Sequence, residues 1–354
     1  MALRLTALAD LAALPFDEII DVRSPSEYAE DHLPGAVNLP VLSDAERARV
    51  GTIYVQEDPF KARKIGAALV ARNAAHHLET ALAGKHGGYR PLVYCWRGGQ
   101  RSGGFASILA QIGWRVELLD GGYRSYRRLV SEALYAQDFP APVVLLDGNT
   151  GTAKTDILHA LAARDVQVLD LEGRANHRGS LFGARTGGQP GQKAFESSLA
   201  MDIAALDPAR PVIVEAESSR VGDRILPPAL WKAMKAAPRI TLSACLDERA
   251  RYLARAYADL AGDPAALAET IERMRPMHAA ATIAHWRGLA GSGAFETLAR
   301  DLMAEHYDPR YAKHRRRMAS PRETRVTLDD LSETGIARAA ERLLPRIAAL
   351  VAGR

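Results

Sequence analysis

Cysteine is nearly missing from this chain: two residues in 354. That is too few for a disulfide scaffold, so each cysteine is either a core filler or a reagent. No apolar run reaches the ~18 residues that a membrane-spanning helix needs, and no membrane association is expected. Fixed-period repeats, low-complexity tracts, paired cysteines and an HExxH pattern are also absent, which sets aside solenoids, disordered linkers and the common zinc sites. The opening stretch MALRLTALADLAALPFDEIIDV carries Asp10, Asp17 and Glu18 and lacks a small-residue cleavage site. A secretory leader is therefore not expected, and the cytoplasm is the default compartment. A large excess of one charge is missing too: 46 Lys plus Arg against 42 Asp plus Glu leave +4. An anionic partner is permitted without being required.

What is present fits a globular chain. Hydrophobic residues make up 47% and charged ones 25% of 354 residues, enough for two domains of ~150 residues each. In the first third, Ile19–Val22, Pro91–Cys95 and Trp114–Leu119 read as short buried strands, and Asp58–Ala83 and Ser102–Ile112 have helical spacing. A second cycle follows the proline-containing DFPAP linker, with strands expected at Val143–Leu146, Val166–Leu169, Pro211–Val214 and Ile240–Cys245. Strand–helix alternation of this kind predicts mainly parallel α/β sheets. From Asp247 onward the chain is Ala-, Leu- and Arg-rich with helical periodicity. The expected domains are 1–137 and 143–354, the second with a largely helical C-terminal part.

The first chemical motif is YCWRGGQRS, Tyr94–Ser102. An apolar run ends in Cys95, a Gly-containing turn follows, and a helix-compatible segment begins. A thiol at a strand's carboxyl end, facing loop amides and a helix N-terminus, is expected to be acidified and to sit in an anion cradle. Arg97 and Arg101 would add positive charge, with Arg101 able to grip a tetrahedral anion through two N–H groups. Cys245, inside the apolar run Ile240–Leu246, reads as core packing. The segment IDVRSPSEYAEDHLPGAVNLP resembles the opening motif of rhodanese domains, matched at Asp21, Arg23, Glu27, Tyr28, His32, Pro34, Gly35, Ala36, Asn38 and Pro40, and LLDGGYRSY resembles their closing Gly-Gly segment. That resemblance implies a sulfur- or selenium-carrying role for Cys95. It departs in the Cys-x5-Arg spacing, which is one residue longer than in thiosulfate-using rhodaneses and similar to that of dual-specificity phosphatases. Asp21, Arg23 and His32 read as structural.

The second motif is VVLLDGNTGTAKTDIL. A strand runs into Gly148, Asn149, Thr150, Gly151, Thr152, Ala153, Lys154 and Thr155 and then into a helix. This is a phosphate-binding loop with Ala153 where its last glycine belongs; backbone N–H groups wrap phosphates, Lys154 neutralises them and Thr155 can reach Mg²⁺. If position 153 needs a positive φ, alanine costs roughly 1 kcal/mol or more; if it is helical, alanine is harmless. Glu215 and Glu217 end one strand and Glu172 and His177 follow another, so all four are candidates for a metal shell or a base at the strand ends that line α/β crevices. Arg310, Lys313, Arg315, Arg316, Arg317, Arg322 and Arg325 form a basic strip with Tyr307 and Tyr311 beside it. Trp96, Arg97, Arg124, Arg127 and Arg128 make a second basic area. Read alone, the strip is equally a solvated helix end; together the two areas favour RNA.

The pairing of a rhodanese-like with a P-loop module, together with LDLEGRANHRGSLFG, VEAESSRVG and EHYDPRY, resembles the tRNA 2-selenouridine synthase family over nearly the whole chain. The resemblance implies action on tRNA bearing wobble 2-thiouridine (for Lys, Glu and Gln), geranylation by geranyl diphosphate, and replacement of the geranylthio group by selenium from selenophosphate, carried as a perselenide on Cys95. Geranyl diphosphate and selenophosphate would be co-substrates, with no tightly bound cofactor and Mg²⁺ reachable through Thr155. Three other readings remain: a phosphatase using Cys95 and Arg101, a P-loop kinase or ATPase, and a non-catalytic RNA-binding protein.

Overall fold

The computed structural model describes residues 2–311 and 322–352, which gather into two compact units. One comprises Met1–Gln137 with Gly191–Ala205, the other Asp138–Pro190 with Leu206–Arg354.

In the first unit, β1 (Ala2–Leu3), β2 (Glu18–Asp21), β3 (Ala36–Asn38), β4 (Pro91–Tyr94) and β5 (Glu117–Leu119) form a sheet in the order β1-β5-β4-β2-β3. Every pairing is parallel. All residues of β4 are buried, as expected of a strand with helices on both faces, and this is why it reads as a continuous apolar run. The flanking helices are α1 (Pro25–Glu30), α2 (Asp44–Gln56), α3 (Pro59–Glu79), α4 (Gln100–Gln111) and α5 (Tyr123–Ser131). Their starts are written locally: Ser43 and Glu46 cap α2 reciprocally, and Asp58 caps α3 with Pro59 in its first turn. Ile20, Val22, Val93, Phe105 and Leu109 fill the core. Asp21 and Arg23 are fully buried and paired at 2.6 Å, and Arg23 also donates to the Asp31 carbonyl. The expected structural role of these residues holds. β1 and β3 are too short to leave a periodic signal and were not expected.

The second unit holds β6 (Val143–Gly148), β7 (Gln167–Leu169), β8 (Val212–Glu215), the small hairpin β9 (Arg220–Val221) and β10 (Arg224–Ile225), β11 (Arg239–Ala244) and β12 (Glu323–Leu328). Its main sheet is parallel in the order β12-β11-β6-β8-β7. The phosphate-loop strand β6 is thus central, with acid-ended β8 beside it. Helices α6 (Lys154–Ala162) and α7 (Leu171–Ala175) follow β6 and β7. Helix α8 (Gln192–Ala204), between β7 and β8 in sequence, belongs to the first unit. There Glu196 holds Arg127 and Tyr135, and Ser197 and Tyr123 both donate to the Asp31 carboxylate at 2.7 Å. The chain therefore passes between the units after Gln137, at Gly191 and after Ala205.

Helices α9 (Pro228–Ala236) and α10 (Leu246–Ala256) follow, then a helical region of α11 (Ala258–Ala261), α12 (Pro264–Glu272), α13 (Ala280–Gly291) and α14 (Phe295–Leu302). It packs around Trp286, Ile271, Met274 and Leu298. Cys245 is exposed, not core. The sheet pairing stops at Ala244, and Cys245 is the N-cap residue of α10, outside the strand that the apolar run suggested. Among the described residues no helix is long and apolar enough to cross a membrane.

Candidate active sites

Cys95 follows the last residue of β4, and its loop closes onto the N-terminus of α4. The sulfur is 3% exposed as a residue and accepts from the Gly99 amide at 3.3 Å and the Ser102 hydroxyl at 3.1 Å. Burial would raise the thiol's pKa, but the Ser102 hydroxyl and amide and the amides of Arg97 and Gly99 outweigh it and bring the thiol below its ordinary value. The loop is fixed from behind. The Cys95 and Trp96 carbonyls accept from the Tyr123 and Arg124 amides at 2.8 and 3.1 Å, and a Cβ on Gly122 would lie 2.3 Å from the Cys95 carbonyl oxygen. Turned that way, the loop spends its carbonyls on α5 and leaves its amides for the sulfur.

The expected guanidinium contribution is different in kind. Arg97 is exposed. Arg101 is gripped by Glu27 through both carboxylate oxygens, at 2.6 and 3.3 Å. Burial would raise the Glu27 carboxyl, but Arg101, the Ser24 amide and Arg47 hold it down at about 2, so this carboxylate is charged across the working pH range. An incoming anion therefore meets the loop amides first and competes with Glu27 for Arg101.

In the second unit the phosphate loop takes the predicted path from β6 to α6. Gly148 and Gly151 are forced: a Cβ would meet the Thr152 hydroxyl at 2.4 Å or the Arg249 carbonyl at 3.1 Å. Ala153 has φ 56° and ψ 33°, the left-handed region, and is buried. Of the two expectations for this position the strained one holds, at roughly 1–2 kcal/mol. Lys154 curls back and donates to the Gly148 carbonyl at 3.0 Å. Burial would lower the Lys154 ammonium, but the nearby Tyr311, Glu172, Glu217 and Glu215 raise it above its ordinary value, so it is a cation at all working pH.

Thr155 Oγ1 lies 2.6 Å from Glu215 and 3.2 Å from Glu172, and Glu217 and Glu172 both crowd Gly179. Burial raises all three carboxyls, aided by the charge of Asp170 at Glu172 and by that of Glu172 at Glu215 and at Glu217, which reaches about 8. Among the described residues no group of His, Cys, Asp or Glu is arranged to hold a metal ion outright. The donor set is nonetheless all hard oxygen, and it has the like-charge crowding that a dication beside Thr155 would relieve. His177 is not part of this pocket. Its Nδ1 faces the Gly179 amide at 3.1 Å, and the residue bridges to Ala184, so it shapes the 177–184 turn. Burial holds its imidazole below the ordinary value.

Three elements were not anticipated. Arg249 of α10 is buried, donates to the Thr150 carbonyl at 2.9 Å and forks onto Asp308 at 2.7 and 2.9 Å, while Asn149 donates to the same Asp308 at 2.8 Å. The phosphate loop is thus clamped by the EHYDPRY segment. Arg185 joins Lys154 and Arg178 in lining the pocket. Adjoining that pocket is a second, apolar cavity, walled by Phe182, Leu260, Leu267, Phe295, Leu298 and Leu302. The two share Thr150, Ser180, Leu253 and Tyr257. Of the expected RNA strip, Arg310 is exposed and contacts Met277 Sδ at 2.9 Å; Lys313, Arg315, Arg316 and Arg317 lie outside the described residues.

Comparison with known proteins accords with these two centres. Residues 5–129 match the rhodanese-like domain and residues 141–266 the tRNA 2-selenouridine synthase AAA domain. A tRNA 2-selenouridine synthase of Cupriavidus pinatubonensis is 36% identical over 299 residues, covering 81% of this chain and 74% of its own. Those of Psychromonas ingrahamii and Cupriavidus necator are 35% and 38% identical, each match covering 68% of this chain and 65% of the relative. With an acidified thiol in one unit and a P-loop in the other, the chain belongs to the tRNA 2-selenouridine synthase family of enzymes.

Proposed function

We propose that the enzyme converts wobble 2-thiouridine of tRNA to 2-selenouridine through an S-geranyl intermediate, using geranyl diphosphate and selenophosphate. One observation carries the geranyl half: an apolar cavity adjoins the pocket at the phosphate loop, and the two share four lining residues. A prenyl diphosphate is the ligand class with those two ends side by side.

In the first step the thiouridine sulfur forms a bond to geranyl C1 as the C–O bond to diphosphate breaks, and the base loses its N3 proton. Loop amides, Lys154 and Arg185 stabilise the charge that gathers on the leaving diphosphate. Thr155, Glu215 and Glu172 would hold Mg²⁺, whose chemistry there is further neutralisation of that charge.

In the second step the Cys95 thiolate forms a bond to C2 as the C2–S bond to geranylthiolate breaks. Selenium from selenophosphate then displaces the cysteine, and the P–Se bond is cleaved by water to give phosphate. No electrons change hands in this sequence. A perselenide on Cys95, the form that the family resemblance implies, would need a two-electron oxidant if made from selenophosphate alone. The loop amides and Arg101 suit the phosphate end of the donor.

Mass spectrometry of nucleosides from thiolated tRNA, given each donor separately and then together, tests the reading. Geranyl diphosphate alone should give only the geranylated base, both donors the selenated one, and Leu298→Trp, which fills the cavity, should lose geranylation. Phosphate release from a generic aryl phosphate without tRNA, or rapid ATP turnover without modification of the base, would overturn it.

A further inference from the structure

Beside the cysteine loop, within the first unit, lies an open cleft that the chemistry above leaves unused. Its empty space is about 1390 Å³, mouth included, and it is lined by Trp96 and Arg97 of the loop, Arg124, Arg127 and Arg128 of α5, and Lys193 of α8. Among the described residues no carboxylate lines it. Two of the cations are committed: Arg127 pairs with Glu196, and Lys193 with Glu30 at 2.6 Å. Arg97, Arg124 and Arg128 are exposed, and among the described residues their side chains enter no ion pair. Arg124 and Arg128 are four apart on α5 and so share one face.

The aromatic component has one available ring. Tyr123 is buried, with its hydroxyl on Asp31 and the Arg23 guanidinium 4.0 Å from its ring centre. Trp96 lies 5.3 Å from Tyr123, tilted 36°, and stays half-exposed. Its backbone is tied to α5 by the Arg124 amide. The result is a braced indole beside uncompensated guanidiniums, in a concave wall that begins at the residue after Cys95.

A flat anionic surface cannot enter a concavity, and a single small anion would satisfy one guanidinium and leave the indole idle. An acidic polypeptide matches the charge but brings no π-face. A strand of unpaired nucleotides uses both features, with phosphates on the arginines and a base on the ring. We propose that this cleft binds unpaired nucleotides of the RNA substrate, through Arg97, Arg124 and Arg128 on successive phosphates and Trp96 stacked on one base, and so presents the reacting nucleotide at the rim of the Cys95 loop. The proposal rests on the reading of the chain as an RNA-modifying enzyme.

The test is salt-dependent binding of the full chain to an RNA stem-loop with 2-thiouridine in its loop. Arg124→Gln with Arg128→Gln should weaken binding about tenfold or more near ~0.15 M salt and flatten the log–log salt slope by about 1.4, two contacts at ~0.7 each. Trp96→Ala should weaken it about tenfold with the slope unchanged, and Trp96→Phe should restore most of the loss. The rate of Cys95 alkylation, a reporter of an intact loop, should be the same in every variant. Binding of the double variant within twofold of the parent at an unchanged slope would overturn the cleft while leaving the activity standing. So would equal competition by polyglutamate, which would assign the cleft to acidic polypeptides. Failure of the parent itself to bind the stem-loop would overturn the activity and the cleft together.

Discussion

The cysteine loop and the phosphate loop are both strand-to-helix turns that aim amides into a cavity, yet they solve opposite electrostatic problems. At Cys95 the amides and the Ser102 hydroxyl converge on one sulfur and favour its negative form, while the guanidinium of Arg101 is already neutralised by Glu27. At Thr155 the crowd is of negative groups: Glu215 and Glu172 meet its hydroxyl and Glu217 lies against Glu172, each carboxyl pushed toward its neutral form. One loop has its charge balance settled before a ligand arrives, and the other acquires it from a ligand or ion. The lesson is that a shared turn geometry does not fix the chemistry; what the neighbouring strands bring to the turn does.

The comparison breaks most visibly if the two centres are not separable. Cys95→Ser should abolish selenation and leave geranylation within about twofold, because a hydroxyl at the same place is far less acidic and less nucleophilic. Lys154→Ala should lower geranylation by about 10²–10³-fold, as expected for losing one preorganised charge at a leaving group, yet leave the selenation of already geranylated tRNA within about twofold and the Cys95 alkylation rate unchanged. Both are read by nucleoside mass spectrometry, geranylation on thiolated tRNA with geranyl diphosphate and selenation on geranylated tRNA with selenophosphate. Equal loss of both steps in either variant would show that one centre serves both reactions.

The parts of these centres that lie within one turn of chain were legible in the sequence, because glycine, lysine and cysteine chemistry is local. The β4–Cys95–α4 and β6–Lys154–α6 turns, and the meeting of Thr155 with Glu215, follow from strand ends sharing an edge of a parallel sheet. The partners that come from afar were not legible. Glu27 reaches Arg101 across 74 residues, and Arg249 reaches the Thr150 carbonyl across 99. Nothing around Arg249 marks it, and the motif that includes Glu27 does not say which guanidinium it will hold. The apolar cavity is similarly invisible, since Phe182, Leu253 and Phe295 each read as ordinary core until packing leaves space between them. Cys245 shows the converse error: an apolar run tells that a strand is there but not where it stops. The end of the basic strip became the paired strand β12 because its alternation, Thr324-Arg325-Val326-Thr327-Leu328, is too short to stand out from the arginines before it.

Smaller changes sharpen the contrast. Ser102→Ala removes one of the groups that hold the Cys95 thiolate, so the thiol becomes less acidic and its alkylation near pH 7 should slow about tenfold, the worth of one hydrogen bond to a charged group. An unchanged pH–rate profile would mean that the amides suffice. At the other loop the sign is reversed. Glu217 is at about 8 in the folded protein, up from an ordinary 4.5. Between those values the folded state keeps a proton that the unfolded chain releases, so stability is present below the lower value and is lost as pH rises through the upper. Glu217→Gln keeps the neutral form at every pH. Its melting temperature should match the parent's near pH 5 and exceed it by several degrees near pH 8, in chelator. A constant difference at both pH values would show that the crowding at Thr155 does not govern the protonation of Glu217.

Ala153→Gly should have the smallest effect, and the reason is a near-cancellation. Glycine relieves the left-handed strain at φ 56°, a gain of about 1–2 kcal/mol. It also frees the unfolded chain, a loss of about 0.4–1 kcal/mol, and removes a buried methyl worth about 0.8 kcal/mol. The net is within about 1 kcal/mol of zero, or a melting shift of at most ~4 °C for a unit of this size. If position 153 were helical instead, the gain would vanish and the same change would cost about 2 kcal/mol. The cysteine loop allows no such exchange in the opposite direction: Gly98 also has a positive φ, +69°, but a Cβ there would stand 2.9 Å from the Leu119 carbonyl oxygen. The methyl that the phosphate loop tolerates at 153 has no room beside Cys95, so a melting curve of Ala153→Gly that falls by much more than ~4 °C would remove the difference in backbone tolerance between the two turns.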